Sequence, residues 1–185
     1  MIFYLRICLT EIKDNIGAAI LGGVTSIRSW GGCMFMSISS AARLLRLWDI
    51  RNPRNTVREF PSVSRDSPLN GFAIGLEGRF LARINASKID LLDIQSGRQL
   101  ATYDAPTHSP KTIQFFPESL NLVVAKPESI SIMDLQHSKP PTQRIPLKNV
   151  ESPRFLRWNP STGNLYFADG ASLFEASLTF GGADV

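Results

Sequence analysis

The chain of 185 residues carries 20 Lys and Arg against 16 Asp and Glu, 43% hydrophobic residues, 13 Gly, 12 Pro and two Cys. So much apolar content in the length of one ordinary domain excludes a disordered chain, a collagen, a coiled coil and a disulfide miniprotein. Charged residues make up 19%, below the roughly 25% of typical soluble domains, which points to much two-sided burial or a sticky surface, and a net charge of +4 suits an acidic partner without amounting to a nucleic-acid footprint.

Residues 1–24 open with an apolar run, Met1 to Leu9, which Arg6 interrupts and Glu11, Lys13 and Asp14 close, so it does not read as a signal peptide. The run Ile16 to Val24 contains three glycines and is far shorter than the ~20 residues a membrane span needs. Cys8 and Cys33 have no second pair, so neither a disulfide framework nor a cysteine zinc cluster is expected. They read as free thiols of an intracellular, reducing compartment, cytoplasm or nucleus.

From residue 25 onward the chain repeats itself. Leu45-Arg46-Leu47-Trp48-Asp49-Ile50 returns as Ile89-Asp90-Leu91-Leu92-Asp93-Ile94 and as Ile130-Ser131-Ile132-Met133-Asp134-Leu135, with a weaker copy at Leu173-Phe174-Glu175-Ala176. Asp49, Asp93 and Asp134 fall 44 and 41 residues apart, and Ser67-Pro68, Ser109-Pro110 and Ser152-Pro153 keep the same beat. Ahead of each later copy sits a short apolar run: Arg79 to Ile84, Leu120 to Ala125, and Asn164 to Ala168. After three of them comes a further run: Thr56 to Phe60, Arg98 to Tyr103, and Thr142 to Leu147. Segments of four to six residues, rich in β-branched and aromatic types and bounded by Gly, Pro, Asn and Ser, are strands, and no window sustains a helical period. The chain is predicted to be all-β, with four antiparallel strands in each period of about 42 residues, as in one blade of a β-propeller.

The Leu-Trp-Asp-Ile ending at Leu47 to Ile50, its hydrophobic-polar-hydrophobic lead-in and the period resemble the WD-repeat β-propeller family over residues 25 to 180. Only Trp48-Asp49 keeps the signature dipeptide; the other copies read Leu92-Asp93, Met133-Asp134 and Phe174-Glu175, and no Gly-His dipeptide occurs. The family's buried His-Ser/Thr-Asp-Trp network is therefore not expected to form. The resemblance implies a partial propeller of about four blades, near 25–67, 68–109, 110–152 and 153–183, the last without residues for a fourth strand. A ring of seven would need roughly 290 residues. The expectation is an open arc belonging to a larger propeller, in preference to a closed ring of four. Residues 1–24 would belong to an incomplete preceding blade or pair with the free edge.

Functional candidates are few. The repeated Asp49, Asp93 and Asp134, with Trp48, are read as structural, the carboxylates bonding turn amides. His108 and His137 lie in turn-like sequence with no metal-ligand spacing. The Ser-Pro pairs read first as turns between blades, with proline-directed phosphorylation as the functional alternative. No phosphate loop, nucleophile elbow or zinc motif is present, so neither an enzyme, a cofactor nor a small-molecule substrate is expected. The feature that architecture does not account for is the arginine concentration Arg43, Arg46, Arg51, Arg54, Arg58 and Arg65. It is either solvated charge or a contact for acidic protein or RNA. The sequence points to a non-enzymatic protein-interaction scaffold inside a multiprotein complex. The alternatives are an RNA-associated propeller in ribosome biogenesis or RNA processing, a degraded small-molecule propeller enzyme and a truncated propeller fragment without activity of its own.

Overall fold

The computed structural model describes residues 24–39, 43–52, 55–62, 69–106, 110, 112–137, 139, 142–147, 150, 153–159 and 161–177. The described strands form four antiparallel meanders in chain order. Blade 1 is β1 (Ser26–Gly31), β2 (Met34–Ser39), β3 (Leu44–Asp49) and β4 (Thr56–Pro61); blade 2 is β5 (Leu69–Gly75), β6 (Phe80–Asn85), β7 (Lys88–Asp93) and β8 (Gln99–Asp104). Blade 3 is β9 (Thr112–Phe115), β10 (Asn121–Lys126), β11 (Ser129–Asp134) and β12 (Thr142–Pro146). Blade 4 is β13 (Arg154–Asn159), β14 (Asn164–Asp169) and β15 (Ser172–Ser177), three strands among the described residues. The molecule is an all-β, four-blade partial propeller, and the interval between the repeated aspartates is the interval between blades. Strand β2, not marked in the sequence, follows the tight turn at Gly31 and Gly32, whose φ values of 108° and 53° only glycine adopts readily. The suggested role of residues 1–23 lies outside the described residues.

Blades 2 and 3 bury both faces because their strands carry apolar residues on both. The register puts Met36 opposite Leu47, Ala82 opposite Leu91 and Val123 opposite Ile132, all on the face turned to the following blade. The other face pairs Leu81 with Leu92, Leu122 with Met133 and Leu165 with Ala176, turned to the preceding blade. These surfaces meet in three inter-blade clusters. Met36, Leu47 and Phe60 pack on Phe72, Leu81 and Leu92; Ala82 and Leu91 pack on Ile113, Leu122 and Met133. The third joins Val123 and Ile132 to Leu156, Leu165 and Phe167.

Blade 4 breaks the pattern on its far face. The row that is apolar in the other three blades becomes Tyr166 opposite Glu175. The Tyr166 hydroxyl donates to Glu175 Oε1 at 2.7 Å, and the Asn164 amide donates to the same oxygen. On the same face Ala168 stands opposite Leu173, which is 73% exposed.

Two polar side chains of blade 2 tie it to both neighbours. Arg83, 1% exposed, holds Asp90 through Nε–Oδ2 at 3.1 Å and donates from Nη1 to the Pro61 carbonyl of blade 1 at 2.6 Å. The Thr102 hydroxyl donates to the other Asp90 oxygen at 2.9 Å. On the opposite side the buried Tyr103 hydroxyl donates to the Leu135 carbonyl of blade 3 at 2.7 Å, and burial pushes that phenol's pKa up.

Candidate binding cleft

The repeated carboxylates end the third strand of each blade and close the turn that follows. Asp49 accepts from the Arg51 amide at 2.9 Å, Asp93 from the Ser96 amide at 2.7 Å and Asp134 from the Gln136 amide at 3.0 Å. The Arg51 side chain first, then its amide, holds the Asp49 carboxyl below the usual carboxylate range; the Ser96 amide and hydroxyl do the same to Asp93. Trp48 stacks on Phe35 at 6.0 Å and donates its indole N–H to the buried Ser37 hydroxyl at 2.8 Å. The expected absence of the family network is thus corrected in part: its Trp–Ser limb forms. It can form because Ser37 lies on β2 beside Phe35, which pairs with Trp48.

The arginine set is divided by the strand geometry. Arg43 sits in the β2–β3 turn and Arg51 beyond the far end of β3, where Arg51 Nη2 pairs with Asp49 at 2.7 Å. Arg46 pairs with Glu59 at 2.8 Å on the face away from blade 2. Arg58 stands opposite Leu47 on the other face and lies against Gly97 of blade 2. Neighbouring positions of a strand point to opposite sides, so four arginines close in sequence reach two faces and two ends of one blade. Arg54 and Arg65 lie outside the described residues, as do His108 and the serines of the three Ser-Pro pairs. His137 Nδ1 lies 3.2 Å from Asp134 in an exposed turn, and no group of three metal-ligating side chains occurs among the described residues. No helix among them is long and apolar enough to cross a membrane.

What the structure does bring together is a cleft at the inner strands. It has a volume of about 570 Å³ and takes residues from all four blades: Trp30 of β1, Ile74 to Gly78 at the end of β5 and in the turn after it, Gln114 to Glu118 likewise at the end of β9, and Trp158 of β13. An adjoining hollow of about 490 Å³ shares Phe116, Pro117, Glu118 and Trp158. Two glycines make the close approach of the walls. Gly75 has no Cβ to meet the Phe115 ring, which would lie 2.5 Å from one. Gly78, at φ 91°, lets the Trp30 indole lie on its Cα, where any side chain would overlap the ring. Phe116 and Trp158 meet edge to face, centroids 4.8 Å apart, so blades 3 and 4 share one aromatic wall.

Glu77 and Glu118 occupy matching turns of blades 2 and 3, both exposed and both in the left-handed region, with φ of 52° and 53°. Neither carboxylate has a hydrogen-bond or ion-pair partner among the described residues. No Lys or Arg is among the described residues lining either hollow. The sequence reading missed these residues because tryptophans and single glutamates at scattered positions carry no motif; only the matching turns after two inner strands hint at them.

No family model matches the chain, and no curated protein matches it. Solved structures do. The chain is similar to Kuenenia stuttgartiensis hydrazine synthase (17% identity, TM-score 0.65, covering 80% of this chain and 44% of that one). It is similar to U3-55K at 12% identity and TM-score 0.70, over 85% of this chain and 50% of that one. The WD40 repeats of RRP9 match at 14% identity and TM-score 0.66, over 81% and 46%. The chain therefore spans about half the length of these structures, and at such identities the likeness is one of fold: WD40-repeat propellers are among its structural neighbours.

Proposed function

We propose that the protein is a non-enzymatic interaction module that holds a partner protein at the cleft where the inner strands of its four blades converge. The observation that carries this reading is the cleft itself: a solvent-open hollow of about 570 Å³ walled by Trp30, Phe115, Phe116 and Trp158. Tryptophan and other aromatic side chains at a concave site are the anchors that partner side chains most often fill.

Acidic protein or RNA as the ligand of the arginine set has less support, since Arg43, Arg46, Arg51 and Arg58 do not share a surface. The test is a photo-crosslinking residue placed at Gln114 in the cleft, with a second at the outer-strand position Leu100 as control. Partner proteins captured from the Gln114 position and absent from the Leu100 position support the reading. Equal capture from both positions, or capture of RNA alone, overturns it.

A further inference from the structure

We infer that the cleft recognises a segment of partner protein in which one or more Lys or Arg side chains stand beside apolar ones. This rests on the reading of the cleft as a partner site and adds the chemistry of what enters it.

Charge is the first argument. The chain as a whole carries an excess of basic residues, +4, yet the described lining of the two hollows contains acids and no bases. Elsewhere in the described structure most carboxylates are spent on internal contacts, Glu128 in the β10–β11 turn excepted: Asp49 on Arg51, Glu59 on Arg46, Asp90 on Arg83, Asp104 on Lys88, Glu175 on Tyr166. Glu77 and Glu118 are not. Two unpaired carboxylates lining the same solvent-open hollow lower the energy of an entering cation and repel phosphate.

The walls are the second argument. An ammonium or guanidinium is drawn to the face of an indole as well as to a carboxylate, and Trp30 and Trp158 line the same cleft as both glutamates. Phe115 and Phe116, nearly fully buried, line the same hollow and add apolar surface for the methylene stem of Lys or Arg and for its apolar neighbours. Trp30 is held in place by its contact with Gly78, so the site is formed before the partner arrives. The matching placement of Glu77 and Glu118 suits an extended segment that presents cations at more than one position.

The test pans the intact chain against a displayed library of random nonapeptides and then measures the selected peptides by fluorescence anisotropy. Selected peptides are expected to be enriched in Arg or Lys next to aliphatic or aromatic residues. The double variant E77Q/E118Q, altered only at exposed positions, should bind them about tenfold more weakly, and Gln114→Glu should strengthen binding. Raising the salt concentration should weaken the native chain and leave the double variant nearly unchanged. Selection of neutral or acidic peptides, failure to select any, indifference to E77Q/E118Q, or displacement of the peptides by oligouridine each overturns the inference. Capture of a protein at Gln114 without a basic preference would sink this inference alone; absence of capture there would sink the interaction reading beneath it.

Discussion

Arg83 and Asp90 stand opposite each other on β6 and β7, both almost wholly buried, with Nε and Oδ2 3.1 Å apart and the guanidinium reaching the Pro61 carbonyl of the neighbouring blade. One ion pair thus serves two blades. A buried pair is worth little in net stability against an apolar replacement, but breaking it strands a charge away from water. Asp90→Ala is expected to destabilise the fold by about 3–5 kcal/mol, and the double change R83M/D90L by clearly less. Urea unfolding of the two variants checks this; a double variant as unstable as the single would show that the carbonyl contact, not the pair, matters most.

Trp48 and Ser37 make the one indole hydrogen bond of the repeat signature. In Ser37→Ala the indole N–H stays buried without a partner, which costs about 1–3 kcal/mol. Loss of stability by chemical denaturation, with Trp48→Phe adding little further in the Ser37→Ala background, is the expected double-mutant result.

Gly75 is a packing constraint without backbone strain, since its φ is −133°. Adding one methyl group must displace the Phe115 ring, an overpacking that costs about 1–3 kcal/mol. Gly75→Ala should therefore lower the melting temperature, and the companion change Phe115→Leu should recover part of the loss.

The Glu175 carboxyl is held below the usual glutamate range by the Tyr166 hydroxyl and then by the Asn164 amide. A carboxyl whose folded pKa is depressed adds stability that is complete above its unfolded pKa and disappears as the pH falls through the folded one. The protein should accordingly become less stable on acidification through and below the ordinary carboxylate range, and E175Q should flatten that part of the curve. Melting temperatures measured across that range for the two proteins decide it; parallel curves would mean that the Tyr166 contact does not persist in solution.

The blade interval was legible because a propeller repeats one local problem. Each third strand must end in a turn, and an aspartate that closes the turn through its own side chain leaves the same mark at Asp49, Asp93 and Asp134. Strand β2 was not legible because Met34 to Ser39 holds a single β-branched residue, Ile38, and lacks the enrichment that marks the other strands. Arg83 could have been found: a lone charge in Phe-Leu-Ala-Arg-Ile, with Asp90 in Ile-Asp-Leu on the next strand, is the mark of a buried cross-strand pair.

The order of strands, their period and the all-β class are local properties, set by turn chemistry and side-chain alternation within some forty residues, and the amino-acid sequence determined them unaided. Where the arginines go and which aromatic residues share a cleft depend on the placing of whole blades against one another. Residues from Trp30 to Trp158 become neighbours only when four inner strands converge, and no spacing along the chain encodes that convergence. The tertiary structure therefore decided the site, because it alone brings distant walls together and parts the charges that the chain had set side by side.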